Sequence, residues 1–205
     1  MVRRLIGSNT TNSSGVATIN YTGTGSGKVR IIAESGNLVS EPYTFYDAKY
    51  KDMGTSSDHT TTNWSTTTMD VDWTTDPTCT TLTALDSSVF SSRYNNIASY
   101  TSRPLTIEFD CSMTYIDADQ FGVGMSLRIG ASSTGGASWS AGQVAMSSGE
   151  WYHITIVLNE TTATLQVNNN TPVSRNISVV PNRFYFTMNS NTTNISTRYR
   201  NFIIY

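Results

Sequence analysis

Residues 151–169 constrain the fold of this chain more than any other stretch. Tyr152-His153-Ile154-Thr155-Ile156-Val157-Leu158 is an apolar-rich run of strand length, and Ala163-Thr164-Leu165-Gln166-Val167 is a second. The polar Asn159-Glu160-Thr161-Thr162 joins them, which predicts an antiparallel β-hairpin. Upstream, Leu105 to Met113 alternates strictly, with Leu, Ile, Phe, Cys and Met on one face and Thr, Glu, Asp and Ser on the other. Such a period of two predicts a half-exposed strand. Phe121, Val123, Met125, Leu127 and Ile129 repeat the alternation before a Ser/Gly loop. Further strands are predicted over Gln143 to Met146, Arg183 to Met188 and Tyr199 to Tyr205. Helix-period patterns of useful length are absent, so the expectation is an all-β protein.

The composition agrees. Hydrophobic residues make up 38% of the 205 and charged residues 14%, so the polar look comes from Thr, Ser and Asn. Thr is β-branched and suits strand faces, while Ser and Asn satisfy turn backbones. A net charge of -2 without a run of Lys or Arg gives no electrostatic footprint for nucleic acid or an anionic membrane. No apolar stretch approaches the roughly 20 residues of a membrane span, so neither nucleic acid nor membrane insertion is expected. Met1-Val2-Arg3-Arg4-Leu5-Ile6 lacks the apolar core of a secretory signal, and export would rely on something outside this chain. Asn-x-Ser/Thr sequons occur at Asn9, Asn12, Asn20, Asn63, Asn159, Asn169, Asn176, Asn191 and Asn194. This composition alone would give about five, and the excess points to an extracellular setting. Cys79 and Cys111 could form a bridge or stay as two thiols; their spacing matches no metal framework.

Two domains are predicted, 1–45 and 46–205. In the first, Val16 to Tyr21, Lys28 to Ala33 and Leu38 to Phe45 read as strands, separated by Gly23-Thr24-Gly25-Ser26-Gly27 and Ser35-Gly36-Asn37. From Tyr46 to about Leu85 the chain is rich in Thr, Ser and Asp. Trp64, Trp73 and the alternation Met69, Val71, Trp73 nevertheless argue for packed strands that open the second domain.

Several motifs carry family resemblances. Gly149-Glu150-Trp151, the His153 strand, the hairpin with its Asn-rich tip and the closing Arg198-Tyr199-Arg200-Asn201-Phe202-Ile203-Ile204-Tyr205 resemble the concanavalin A-like lectin/glucanase sandwich, particularly its laminin-G-like branch. The resemblance spans residues 80–205 and extends toward 46. It implies an antiparallel jelly-roll sandwich. Thr11-Asn12-Ser13-Ser14-Gly15-Val16-Ala17 through Tyr21-Thr22-Gly23 resembles the later part of bacterial-type, invasin-like Ig repeats, over less than a quarter of the chain. Those repeats have about seven strands, and three alone would leave edges exposed. This partial Ig-like segment is therefore expected to pack on the second domain or on another copy as a homo-oligomer, or to be a piece of a longer repeat protein.

Many members of the superfold cut polysaccharides with a Glu-x-Asp-x-x-Glu strand. Here Glu108-Phe109-Asp110-Cys111-Ser112-Met113 puts Met113 at the second Glu, so the acid/base partner is missing and a non-enzyme is expected. Glu108 and Asp110 then read as the solvated face of a strand. His59 and His153 are the only histidines, too few for a zinc cluster; His153 is expected to be structural and His59 a surface residue. No cofactor is required. Calcium is the metal that the Asp oxygens would suit, with Asp117 and Asp119 as candidates and Asp70 and Asp72 behind them, although turn aspartates usually cap their own backbone.

Sugar rings stack their apolar faces on flat side chains while amides and hydroxyls fix the hydroxyl groups. Trp139, in a Ser/Gly-rich segment, is the first candidate, unless its ring folds back as a plug over the sandwich, and Tyr94, Asn95, Asn96 and Tyr100 form the second. Trp151, opening a core strand, is expected to be structural. The chain is thus expected to be an extracellular adhesin or receptor-binding module of a cell surface or a viral tail fibre, recognising a glycan or cell-surface polymer. The competing expectations are a glycoside hydrolase of the same superfold and a purely structural or assembly domain.

Overall fold

The computed structural model describes residues 7–20, 27–54, 64–85, 91–114, 120–124, 136–140, 142–188 and 195–205. The chain divides into two compact units, Met1–Ala48 and Lys49–Tyr205.

In the first unit, β1 (Gly27–Ile31) pairs antiparallel with β4 (Tyr43–Asp47), from Gly27 opposite Asp47 to Ile31 opposite Tyr43. Between them β2 (Glu34–Ser35) and β3 (Leu38–Val39) form a short hairpin, turned at Gly36 with φ of 58°. The strand expected from Val16 is not formed over the described residues 16–20. Asn side chains capture that backbone locally instead: Asn12 Oδ1 accepts from the Ser14 and Val16 N–H groups, and Asn9 Nδ2 donates to the Thr18 carbonyl. Such bonds offer the backbone an alternative to a ladder.

The second unit is a β-sandwich of two antiparallel sheets. The eight-stranded sheet runs in the order β15 (Val173–Asn176), β14 (Thr162–Val167), β13 (Tyr152–Leu158), β10 (Leu105–Met113), β17 (Ser196–Ile204), β8 (Thr80–Ala84) and β7 (Met69–Asp72), with β5 (Tyr50–Asp52) paired to the end of β17. The five-stranded sheet runs β12 (Ala137–Ser140), β11 (Gln120–Gly124), β16 (Arg183–Met188), β9 (Ser91–Asn96) and β6 (Trp64–Thr67). Only a 3-10 turn, Gly142–Val144, interrupts this pattern among the described residues, where a strand to Met146 was expected. Ala145 there has a φ of 56°, which breaks an extended run.

The β13–β14 hairpin forms as the sequence dictates, with Ile154 opposite Val167, Leu158 opposite Ala163, and Asn159 N–H closing the loop on the Thr162 carbonyl. Alternation on β10 buries Leu105, Ile107, Phe109, Cys111 and Met113. The two layers meet through aromatic rings. Phe109 of the larger sheet lies 5.2 Å from Phe184 and 5.3 Å from Phe186 of the smaller one, edge to face. Trp64 stacks on Phe186 and meets Phe202 at 5.0 Å. Burying large rings in these geometries supplies most of the driving force for closing the layers.

One carboxylate is enclosed as well. Asp52 is fully buried and accepts from the Gly54 N–H at 2.8 Å and the Tyr199 hydroxyl at 3.0 Å. Gly54 has a φ of 76°, and a Cβ there would stand 2.8 Å from the Tyr199 carbonyl oxygen. Cys79 and Cys111 are free, buried thiols, and Cys79 donates to Asp76 Oδ2.

Candidate functional site

Trp139 is the third residue of β12 and fully buried, with the Arg175 guanidinium carbon 6.0 Å from its ring centre. An enclosed indole has no face to offer a sugar, so Trp139 is a core residue and not a loop platform. Ala137 and Trp139 point inward with Ser138 between them, a strand alternation that the surrounding Ser and Gly concealed. Tyr94, Asn95 and Asn96 also lie on a strand, β9. Asn95 faces the core, fully buried and without a hydrogen-bond partner for its amide. Tyr94 and Asn96 face the other way. Tyr100 follows β9 and packs partly buried against the core, where burial pushes its phenol up.

Asp117, Asp119 and His59 lie outside the described residues. Asp72 spends its carboxylate on its own turn, accepting from Thr74 N–H, Thr74 Oγ1 and Thr75 N–H. Bonds from Thr75 and Thr74 hold it below the usual carboxylate range. Among the described residues no three His, Cys, Asp or Glu side chains come together in a metal-binding group.

The outward face of the five-stranded sheet has an unusual chemical make-up. Phe184, Phe186 and Met188 fill the core, so the register turns Arg183, Tyr185 and Thr187 outward, opposite Asn96, Tyr94 and Ser92. The Arg183 guanidinium carbon lies 4.4 Å from the centre of the half-buried Tyr94 ring. Asn96 is exposed, and its Oδ1 accepts from the Ala98 N–H at 3.1 Å. Tyr185, Thr187 and Ser92 are covered, whereas Tyr94 and Arg183 are half-buried and Asn96 and Ser65 exposed, which leaves the Tyr94–Arg183–Asn96 end open among the described residues of β6, β9 and β16. No Asp, Glu, His or Lys occurs in any of the five strands.

The outward face of the eight-stranded sheet is charged. Glu108 and Asp110 point away from the core on β10, and β13 sets His153 opposite Asp110. His153 Nδ1 is 2.8 Å from Asp110 Oδ1, and its Nε2 is 4.0 Å from Glu108 Oε2. A bulge in β17 completes the row: pairing shifts from Asp110 with Arg200 to Glu108 with Ile203, and Asn201 takes a φ of 54°. Asn tolerates this conformation better than other residues with a Cβ. Its Nδ2 donates to Asp110 Oδ2 at 2.7 Å, and Arg200 Nε does so at 3.4 Å. Burial opposes ionisation of Asp110, but the hydrogen bonds from His153 and Asn201 and the nearby positive charges outweigh it, leaving its pKa below the usual value. Trp151, half-buried just before β13, carries the Arg200 guanidinium carbon 4.3 Å and that of Arg198 5.2 Å from its ring. His153 is exposed, and its ring lies against its cross-strand neighbour Asp110 on the solvent face of the sheet.

No protein-family model matches the sequence, and no curated protein matches it. Solved structures do. The chain is similar to a sialidase, with a TM-score of 0.56 at 13% identity, covering 77% of this chain and 18% of the sialidase. It is also similar to a carbohydrate esterase from the Shiga toxin-encoding bacteriophage phi24B, with a TM-score of 0.51 at 9% identity, covering 77% of this chain and 97% of that one. At such identities the likeness establishes the β-sandwich. The chain spans under a fifth of the sialidase's length.

The two faces offer different chemistry. Asp110, ionised and held by several donors, can orient the His153 imidazole and the Arg200 guanidinium, but it is poorly placed to give up a proton. The Tyr94 face offers an aromatic ring with hydrogen-bond donors beside it. Sequence reasoning passed over Arg183 and Tyr185, although the signal was present: once Phe184, Phe186 and Met188 are assigned inward, the residues between them must face out.

Proposed function

We propose that this protein is a non-enzymatic glycan-binding module of an extracellular surface or virion protein, with the Tyr94 end of the five-stranded sheet as its binding face. The observation that carries this is the half-buried Tyr94 ring beside Arg183 and the exposed Asn96, on a sheet whose strands contain no carboxylate. An aromatic face with polar side chains at its rim is the usual chemistry of sugar recognition. Most glycoside hydrolases work with a pair of carboxyl groups, and these strands supply none. That similar folds occur in a sialidase and a phage carbohydrate esterase supports a carbohydrate ligand. The N-terminal unit, in this reading, is a spacer or assembly element of the adhesin or tail-fibre type.

The test is a glycan array probed with the full chain and with Tyr94→Ala. Binding to a defined saccharide class, lost in the variant with its melting temperature retained, is the expected result. An array without signal, or equal binding by the variant, would sink the proposal.

A second reading draws on the row Glu108–His153–Asp110, in which one imidazole lies between two carboxylates. A polysaccharide-active enzyme would use that face. New reducing ends released from a polysaccharide panel, and abolished in Glu108→Gln, would favour it.

A further inference from the structure

The Tyr94 face selects an anionic saccharide, we infer, one bearing a carboxylate or a sulfate group, and Arg183 with Asn96 is the pair that holds that group. This rests on the glycan reading of the same face. Its basis is the balance of donors and acceptors there.

Charge comes first. Across β6, β9, β11, β12 and β16 the only charged residues are Arg93 and Arg183. Arg93 points inward, 3% exposed, with its guanidinium carbon 4.8 Å from the Trp64 ring centre. Arg183 is thus the one outward charge on the sheet's strands, and no acidic residue on them offsets it. A ligand reaching this face meets a positive charge that the strands themselves do not neutralise.

Geometry comes second. A guanidinium carbon 4.4 Å from the Tyr94 ring centre holds Arg183 beside the ring through a cation–π contact. Among the described residues it makes no ion pair, so its fork of N–H donors is uncommitted. Asn96 stands directly across the ladder from Arg183, with Cβ atoms ~5 Å apart for such pairs. Because Asn96 Oδ1 already accepts the Ala98 N–H, the amide presents its Nδ2, a donor.

Two donor groups side by side, with no carboxylate to accept from a sugar hydroxyl, suit a partner that only accepts. Carboxylates and sulfates are such partners, and a planar guanidinium can meet two of their oxygens at once. Neutral sugars would find only neutral acceptors there, such as the Tyr94 phenol and the exposed Ser65 hydroxyl across the ladder, and would form no charge-to-charge bond with Arg183. The Tyr94 ring would lie against the apolar face of the sugar that carries the anion.

The experiment compares lactose, 3′-sialyllactose and 3′-sulfolactose, and in parallel oligogalacturonate and its methyl ester, by calorimetry on the full chain. Affinity at least tenfold higher for the acidic member of a pair, weakening as sodium chloride is raised, is the expected result. The carboxylate and sulfate arms identify which anion is preferred. In Arg183→Gln the acidic affinity should fall at least tenfold, whereas Arg183→Lys, which keeps the charge but not the fork, should recover part of it. Circular dichroism melts of both variants establish that the fold is intact. If neutral and acidic members bind equally well and Tyr94→Ala abolishes both, the anion preference is wrong while the glycan reading stands. If no saccharide binds at all, both fall together.

Discussion

The Tyr199 hydroxyl and the Asp52 carboxylate meet at 3.0 Å inside the sandwich, with neither residue exposed. Tyr199 belongs to β17 at the centre of the larger sheet, and Asp52 closes the short β5 that pairs with the end of the same strand. This bond ties the start of the second unit to its last strand.

Among the described residues Gly54 and Tyr199 donate to this buried carboxylate; Tyr199→Phe removes one of these bonds and should cost about 1–3 kcal/mol. Urea unfolding checks this. Burial drives the Tyr199 phenol far above its ordinary range, so the loss should be constant across neutral pH. A variant as stable as the parent would mean that the bond carries no weight.

Gly54→Ala should destabilise the protein more than Gly149→Ala. Both glycines have φ near +80°, at 76° and 80°, where a Cβ costs about 1–2 kcal/mol. Only at Gly54 would the new atom also meet the Tyr199 carbonyl oxygen, at 2.8 Å; at Gly149 nothing lies within 4 Å. Parallel thermal melts should therefore rank Gly54→Ala below Gly149→Ala.

Trp139→Ala and Tyr94→Ala should separate stability from binding. The first empties a fully buried site and should cost about 3–5 kcal/mol. The second trims a half-buried ring on an outward face and should leave the melting temperature within a few degrees of the parent. Similar losses of stability in the two variants would contradict this division.

Acidification should act through Asp110. Its folded pKa is lowered, so its bonded carboxylate stabilises the fold fully above the unfolded value of about 4. That contribution is lost as pH falls through the depressed folded value. The gap in unfolding midpoint between the parent and Asp110→Asn should accordingly be present above about pH 4 and shrink below it. A gap that widened on acidification would reverse the sign of the argument.

The sequence was most legible where one face of a strand is apolar and the other is not. Leu105 to Met113 became β10 with its alternation intact, and the hairpin around Asn159 formed in its expected place, because a period of two leaves one option for which face is buried. Legibility failed where composition masked period. Ser and Asn around Tyr94 and Ser and Gly around Trp139 made strands look like loops. Polar residues there are tolerated because Tyr94, Asn96 and Ser138 face away from the core. His153 escaped for a different reason: its meeting with Asp110 is set by the register between β13 and β10, and its link through Asp110 to Asn201 depends on a bulge in β17 that local sequence does not reveal.

The strands of the five-stranded sheet turn Arg183 outward and carry no carboxylate, imidazole or amine, so no acid of the same strands can cancel its charge. Added salt should therefore screen the pull of that layer on anions of every kind.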